Sequence, residues 1–190
     1  GKEKSGREAS ALDELARLLG LSKPPEYIES YDISNLAGEE NVAGMVVFRD
    51  GRPLKSAYRK FKIKTVVGQD DYGSMREVLS RRFEEYQKAE NREEGFGKLP
   101  DLILLDGGRG HVSAVRPVLE AFGISAPLFG MVKDDKHRTR AISTDGGEIS
   151  ITSSRRAFTL LSEIQNEVHR FAITVLIPDE IVVNELALRL

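Results

Sequence analysis

Four short segments of the chain place an acid or a histidine beside a turn or at the end of a hydrophobic run: residues 31–34, 69–72, 105–108 and 167–170. Asp32 follows the apolar-rich residues 27–31, and Asp106 follows residues 102–105. Hard divalent cations prefer oxygen ligands, and a pair of cations can clamp the attacking and leaving oxygens of a phosphate ester. Two buried strands that each end in a carboxylate, with His169 on a helix nearby, therefore indicate metal-dependent phosphodiester chemistry. A nuclease is our leading hypothesis.

Both aspartates also have an ordinary structural interpretation. Turn-forming residues follow Asp32, and Gly107 follows Asp106, so each carboxylate is also suited to cap a turn or a helix. A carboxylate within a hydrophobic strand is costly unless it is paired, hydrogen-bonded or bound to a metal. Ligands of α/β sheets also collect at the carboxyl ends of strands. We therefore predict that both aspartates are metal ligands.

The remaining candidates have weaker individual signals. His169 is our third ligand, although an isolated histidine is commonly a surface residue. Asp70 and Asp71 open a predicted helix, where the helix dipole favours carboxylates, so capping stays an open alternative for both. The glycine-rich residues 107–110 lack the Lys-Ser/Thr ending of a phosphate loop and the spacing of a dinucleotide site. We therefore expect no small-molecule cofactor.

The net charge of −2 does not itself predict a nucleic-acid partner, but basic residues are clustered locally. A near-neutral protein can still neutralise phosphates on one face, although such clusters are also common on ordinary solvated surfaces. In residues 133–138 we expect the cations to orient a DNA phosphate and the acids to order the loop. The candidate DNA-binding residues are Lys60, Lys62, Arg76, Lys133, Lys136, His137 and Arg138.

Hydrophobic periodicity predicts the elements that must position these residues. A short first helix is capped by Ser10 and ends at Gly20, and the last helix begins at Ser153 or Ser154. Strands are predicted at residues 27–33, 42–48, 54–63, 102–105 and 128–132, a small hairpin at 145–147, and further helices at 72–86 and 111–122.

This order is typical of a mixed α/β fold with a central sheet of about five strands flanked by helices, plus a short amino-terminal helix. It is also the order of the ribonuclease H-like fold. In that fold the first and fourth strands lie side by side at the centre of the sheet, so Asp32 and Asp106 would face each other.

Composition excludes several other classes of protein. The 190 residues are 40% hydrophobic, which suits one compact domain. Cysteine is absent, which removes disulfides and thiolate zinc sites. We find no apolar run long enough to span a membrane and no signal peptide, so we expect a cytoplasmic protein without a membrane partner.

Six longer motifs, taken in order, resemble the carboxyl-terminal endonuclease domain of UvrC, the nuclease subunit of bacterial excision repair. The resemblance runs from about residue 25 to residue 173, most of the chain. It is carried by residues 31–35, 42–48, 70–77, 102–110, 133–139 and 167–173. Several long motifs in the same order make the resemblance very specific.

The resemblance implies a ribonuclease H-like fold with a catalytic triad at Asp32, Asp106 and His169, and a further important acid at Asp71. It implies a two-metal site for Mg²⁺ or Mn²⁺. The substrate would be damaged double-stranded DNA, cut on the 5′ side of the lesion, and a UvrB-like protein would hand it over in the full-length protein. A separate amino-terminal nuclease domain of the family cuts on the 3′ side.

We expect an amino-terminal extension and short helix at residues 1–24, the endonuclease domain at 25–173, and an atypical tail at 174–190. The tail is apolar and acidic where the family continues with a basic stretch, and its origin is left open. The family's other domains lie outside these residues, so we expect the isolated chain to bind DNA weakly. The alternatives are a non-catalytic ribonuclease H-like module, which loss of a triad residue would favour, and a small-molecule phosphotransferase, which would need a phosphate loop.

Overall fold

The computed structural model describes residues 6–35, 41–151 and 153–174. The predicted tail lies outside the described residues except for Thr174. Within these residues there are four α-helices: α1 Gly6–Leu19, α2 Asp71–Lys88, α3 Arg109–Ala121 and α4 Arg155–Ile173. None of the helices in these ranges is long and apolar enough to cross a membrane.

The strands form a single mixed sheet. Their bounds are β1 Tyr27–Ser34, β2 Val42–Arg49, β3 Arg52–Pro53, β4 Arg59–Lys62, β5 Leu102–Asp106, β6 Leu128–Lys133, β7 Thr139–Thr144 and β8 Gly147–Ser150. The order across the sheet is β3-β2-β1-β5-β6-β7-β8, and β4 pairs with β2. β1, β5 and β6 are parallel to one another, whereas the other pairs are antiparallel. Parallel strands at the centre bring their carboxyl ends to one edge.

Alternating side chains of the central strands bury two hydrophobic layers, one on each face of the sheet. Tyr31 of β1 and Leu105 of β5 pack on the layer that holds α2 and α3. Ile28 and Leu104 point to the opposite layer, which holds α1 and α4. Since α1 packs against α4, the amino-terminal helix belongs to the second layer, and the proposed domain boundary at residue 25 stays a prediction.

The α/β class and the ribonuclease H-like strand order are confirmed, including the adjacency of β1 and β5. The predicted count of about five strands is too low. The third predicted strand, residues 54–63, begins instead with a 3₁₀ turn at Lys55–Ala57, and only Arg59–Lys62 of it forms a strand. The short strand Arg52–Pro53 precedes it, and the β7–β8 hairpin extends the sheet beyond β6. The first helix begins at Gly6, so Ser10 lies within it and is not its cap.

An ion pair without solvent contact joins α2 to β1. Arg82 and Glu29 are 0% and 1% exposed, and the guanidinium donates to both carboxylate oxygens at 2.9 and 2.8 Å. Its remaining donors reach the carbonyls of Phe96 and Lys98, and the hydroxyl of Tyr31 donates to Glu29 at 2.5 Å. Because the two buried charges are paired through two hydrogen bonds and held by further ones, the pair fixes β1 relative to α2.

Candidate metal centre

Asp32 and Asp106 come together because their strands are parallel neighbours. Tyr31 pairs with Leu105 across β1 and β5, so the next residue of each strand is an aspartate on the face that carries α4. His169 on α4 completes the cluster. One ligand atom from each of the three residues lies within 4.8 Å of the other two. The structure thus brings the three predicted ligands together, while their catalytic roles stay predictions.

The approach of α4 to the sheet depends on a glycine opposite Asp32. Gly44 of β2 is the register partner of Asp32. A Cβ atom at Gly44 would lie 3.0 Å from the Cα atom of Ala172, one turn of α4 beyond His169. Only a residue without a side chain therefore allows the helix to lie this close to the strand that carries the carboxylate.

Each of the three side chains has a polar partner within or beside the cluster. The Nδ1 atom of His169 lies 3.0 Å from Oδ2 of Asp32. Asp106 accepts a hydrogen bond from Nε2 of Gln165 at 2.7 Å on Oδ1, and Nζ of Lys133 lies 3.2 Å from Oδ2. The two carboxylates thus have one imidazole, one amide and one ammonium around them.

The ionisation of Asp32 is disfavoured by its surroundings. Burial raises the pKa of Asp32 to about 8, and the charge and hydrogen bonding of Asp106 add to this effect, while the ammonium of Lys133 opposes it. A carboxylate that resists ionisation beside a second one indicates a place where positive charge is favourable. Two carboxylates and an imidazole are donors that suit Mg²⁺ or Mn²⁺, so the residues present fit a hard divalent cation.

Two neighbouring acids at the beginning of α2 have different partners. Asp70 caps the helix, because its Oδ1 accepts from the backbone nitrogen of Gly73 at 2.9 Å. Asp71 instead accepts from the Asn35 amide at 2.9 Å and is exposed. Capping is therefore the role of Asp70. Asp71 is not in the three-residue cluster, and its importance for activity stays a prediction.

Two aromatic side chains explain the glycine-rich turn after Asp106. Tyr72 packs edge-on against His111, with ring centroids 4.8 Å apart. A Cβ atom at Gly107 would overlap the His111 ring, and one at Gly110 would overlap the Tyr72 hydroxyl. Burial lowers the pKa of His111, although the charges of Asp71 and Asp106 oppose this. Gly107 and Gly110 therefore allow close packing of these two rings against the turn.

The predicted DNA-binding residues differ in their surroundings. Lys60 is 5% exposed; its ammonium donates to the Thr174 carbonyl and lies 5.1 Å from the centre of the Phe171 ring, which argues against a phosphate contact. Lys133 faces Asp106, and its side chain is 26% exposed. Lys62, Arg76, Lys136, His137 and Arg138 are exposed.

The loop between β6 and β7 is ordered by one of its acids, as expected. Oδ1 of Asp134 accepts from the backbone nitrogens of Lys136 and Arg138, each at 2.9 Å, and its Oδ2 lies 3.1 Å from Nε of Arg138. These local bonds hold the loop in a turn while Lys136 and Arg138 stay on the surface. The loop is therefore suited to present positive charge beside the carboxylates.

Sequence reasoning did not identify Gln165 as part of this site. Its position four residues before His169 was the available signal, because residues with that spacing share one face of a helix. Gln165 is 1% exposed although its side chain is polar, which marks it as a specific contact rather than a surface residue.

The mixed sheet with helices on both faces, and the acid-acid-histidine cluster at its parallel edge, define a ribonuclease H-like domain. Residues 16–173 match the family described as the UvrC RNase H endonuclease domain. The chain belongs to this family, and the resemblance seen in its motifs is confirmed.

Curated relatives agree with this assignment. UvrABC system protein C of Thermoanaerobacter pseudethanolicus is 53% identical over 176 residues, which cover 88% of this chain and 28% of the relative. The protein of the same name from Caldanaerobacter subterraneus subsp. tengcongensis is 52% identical over 182 residues, 91% of this chain and 29% of the relative. The chain thus spans less than a third of the length of these relatives.

Solved structures of other nucleases show more distant likeness. Ciona intestinalis endonuclease V, in complex with an inosine-containing DNA, is 19% identical with a TM-score of 0.42, covering 67% of this chain and 55% of that one. Human ENDOV is 13% identical with a TM-score of 0.38, covering 87% of this chain and 83% of that one.

Proposed function

We propose that this domain is a divalent-metal-dependent DNA endonuclease that makes the incision 5′ to a lesion in bacterial nucleotide excision repair. The observation that carries the proposal is the cluster of Asp32, Asp106 and His169 at the parallel edge of the sheet. Membership of the UvrC RNase H endonuclease domain family supports both the reaction and its biological setting.

Asp32, Asp106 and His169 would hold Mg²⁺ or Mn²⁺ in a two-metal site. When bound, such ions activate water and stabilise the leaving oxygen of a phosphodiester. The residues of the chain then have distinct tasks. The buried carboxylates provide oxygen ligands at a fixed edge of the sheet, and His169 orients the Asp32 carboxylate through its contact with Oδ2.

The substrate and partner proposals rest on the family. Damaged double-stranded DNA is the proposed substrate, and a UvrB-like protein is the proposed partner in the longer protein, because the relatives are components of the UvrABC system. The exposed cations Lys62, Lys136 and Arg138 are suited to contact phosphates. Phosphate contacts position a duplex without reading its sequence, which is what a lesion-directed nuclease requires.

The metal site is tested directly by calorimetric titration of the chain with Mn²⁺. Asp106→Asn and Asp32→Asn should each weaken binding by about tenfold or more, because a carboxylate ligand is lost. Glu148→Gln is the matched control, since Glu148 is an exposed acid on β8 that pairs with Arg140. Identical isotherms for wild type and both aspartate variants would exclude the site.

The reaction is tested in the full-length protein with its UvrB-like partner on end-labelled lesion duplex, with both cuts scored. Asp106→Asn should abolish the 5′ incision and leave the 3′ incision, which we assign to another domain. DNA binding should not weaken, because the substitution removes a negative charge facing phosphate. Retained 5′ cutting would favour a non-catalytic ribonuclease H-like module.

A further inference from the structure

The two oxygens of Asp106 are held by donors of different kinds. Oδ1 accepts from the Gln165 amide at 2.7 Å, and Oδ2 lies 3.2 Å from the Lys133 ammonium. We propose that Lys133 is an exchangeable internal cation, which Asp106 releases when a divalent cation binds and which then turns to the DNA phosphate. This inference rests on the metal-binding function proposed above.

Gln165 is the fixed partner. Its Nε2 atom donates both to Asp106 and to the Met131 carbonyl, the latter at 3.1 Å, and its Oε1 accepts from the Thr139 hydroxyl. A buried amide with both ends hydrogen-bonded cannot rotate without losing these bonds. Gln165 therefore fixes the orientation of the Asp106 carboxyl, so that Oδ2 is always the oxygen turned toward Lys133.

Lys133 is the partner that can leave. It is the last residue of β6 and follows a register shift between Val132 and Lys133, where the ladder with β7 is irregular. Its side chain is 26% exposed, and a lysine stem has four rotatable bonds. Release of the ammonium into solvent or toward a phosphate therefore requires only side-chain rotation, without any change in the sheet.

Charge explains why the exchange should favour a divalent ion. The Lys133 ammonium contacts Asp106, and Asp32 lies beside Asp106 in the same cluster. Two carboxylates therefore share the charge of one ammonium, so the site retains an excess of negative charge when both are ionised. A divalent cation supplies twice the charge and binds carboxylate oxygens directly, so it competes effectively with a lysine. The released ammonium lies at the start of the loop that carries the exposed Lys136 and Arg138.

The exchange predicts opposite effects of one substitution on two measurements. Lys133→Met keeps the aliphatic stem but removes the competing charge, so Mn²⁺ should bind roughly two- to fivefold more tightly by calorimetry, the range expected for a partly exposed charge pair. In the same variant, DNA affinity at low salt should fall, because one phosphate contact is lost. If the Lys133 ammonium is instead needed to hold Asp106 in its orientation, Mn²⁺ affinity should fall. A Lys133 that stays on Asp106 would still repel the ion, so its loss would also tighten binding, and the ammonium signal described below separates that case from the exchange.

Lys136→Met is the matched control, because Lys136 is an exposed lysine of the same loop whose backbone nitrogen, not its ammonium, is bound by Asp134. It should lower DNA affinity but leave the Mn²⁺ dissociation constant within about twofold of wild type. Circular dichroism establishes that each variant is folded. Unchanged or weaker Mn²⁺ binding by folded Lys133→Met, when wild type binds in an Asp106-dependent manner, would overturn the exchange alone. Absence of Asp106-dependent binding in wild type would overturn the metal site and the exchange together.

An NMR measurement on the unaltered chain shows whether the Lys133 ammonium leaves Asp106 when a divalent cation binds. It does not depend on whether Lys133→Met folds. The side-chain ammonium signals of lysines, recorded by ¹H–¹⁵N NMR at low temperature, should include a slowly exchanging signal for Lys133 because it is ion-paired. Titration with diamagnetic Mg²⁺ should shift or broaden that signal and leave the Lys136 signal in place. A Lys133 signal that is unmoved at saturating Mg²⁺ would show that the ammonium stays on Asp106.

Discussion

Asp32 is a buried carboxyl whose ionised form is unfavourable in the fold and which is also a proposed metal ligand. It is 7% exposed, lies beside a second carboxylate, and faces an imidazole at 3.0 Å. Burial and the charge of Asp106 both disfavour its ionised form. The position of this carboxyl is therefore unfavourable for stability, which is consistent with the proposed role of Asp32 as a metal ligand.

The pH dependence of metal affinity should follow this residue. Because the pKa of Asp32 is raised to about 8, the metal-free chain holds a proton on this carboxyl at lower pH. A cation requires the ionised form, so Mn²⁺ affinity should rise as pH increases from about 6 and level above about 8, with release of close to one proton per ion. Calorimetric titrations in buffers of different ionisation enthalpy measure both the Mn²⁺ affinity and the number of protons released.

Asp32→Asn is the control for this titration, since the amide cannot ionise. Its weaker Mn²⁺ binding should vary much less between about pH 6 and 8, with residual variation assigned to the other ligands. If the wild-type affinity were independent of pH over this range, the raised pKa of Asp32 would be wrong.

At the scale of single elements, the packing of α4 on β2 determines the distance between His169 and Asp32. Gly44→Ala would place a methyl group 3.0 Å from Ala172 Cα, so the helix must shift away from the strand. We expect severalfold weaker Mn²⁺ binding and a loss of about 1–3 kcal/mol in the free energy of unfolding.

Gly146→Ala is the matched control for this prediction, because Gly146 lies in the exposed β7–β8 turn and its added methyl meets nothing closer than 3.8 Å. Its metal affinity should equal that of wild type. Full Mn²⁺ affinity in Gly44→Ala would indicate that the position of α4 does not limit the site.

The ion pair between α2 and β1 has a different consequence for stability. Arg82→Leu would leave the Glu29 carboxylate buried without its charge partner, so we expect a loss of about 3–5 kcal/mol in urea unfolding. Arg82→Lys should recover only part of this, because lysine cannot donate to both carboxylate oxygens and two carbonyls. The double variant Arg82→Leu, Glu29→Leu should be more stable than Arg82→Leu. If Arg82→Leu cost less than about 1 kcal/mol, the pair would not be a main support of β1.

Some features of the strands and helices could be predicted from the sequence, and others could not. The positions of Asp32 near the end of β1 and of Asp106 at the end of β5 were predictable, because each carboxylate directly follows a hydrophobic run in the chain. The burial of Lys60 was not, since it depends on Thr174 and Phe171 at the far end of the chain. Gln165 was missed for the same reason: its importance comes from Asp106 and Thr139, which only the fold brings near.

At the scale of the whole molecule, a nearly balanced charge of −2 means that DNA affinity must come from local cations. Lys62→Ala should weaken binding to duplexes of unrelated sequence by the same factor. It should also reduce the slope of log binding constant against log salt concentration by about one counterion. Lys60→Ala should leave the salt dependence unchanged and lower stability instead, because its ammonium is used by the Thr174 carbonyl. Fluorescence anisotropy at several salt concentrations, with thermal unfolding of both variants, separates the two lysines. Equal salt slopes for wild type and Lys62→Ala would remove Lys62 from the DNA-binding residues.

The pairing of β1 with β5 also controls when the chain can become active. These neighbours are separated in sequence by β2, β3, β4 and α2, so their alignment requires closure of a long loop, which is among the slower steps of folding. His169 arrives only when the last helix docks on the same sheet. A nascent or partly folded chain therefore has not yet assembled the cluster of Asp32, Asp106 and His169, and the proposed cleavage of DNA would have to wait until the central sheet is complete.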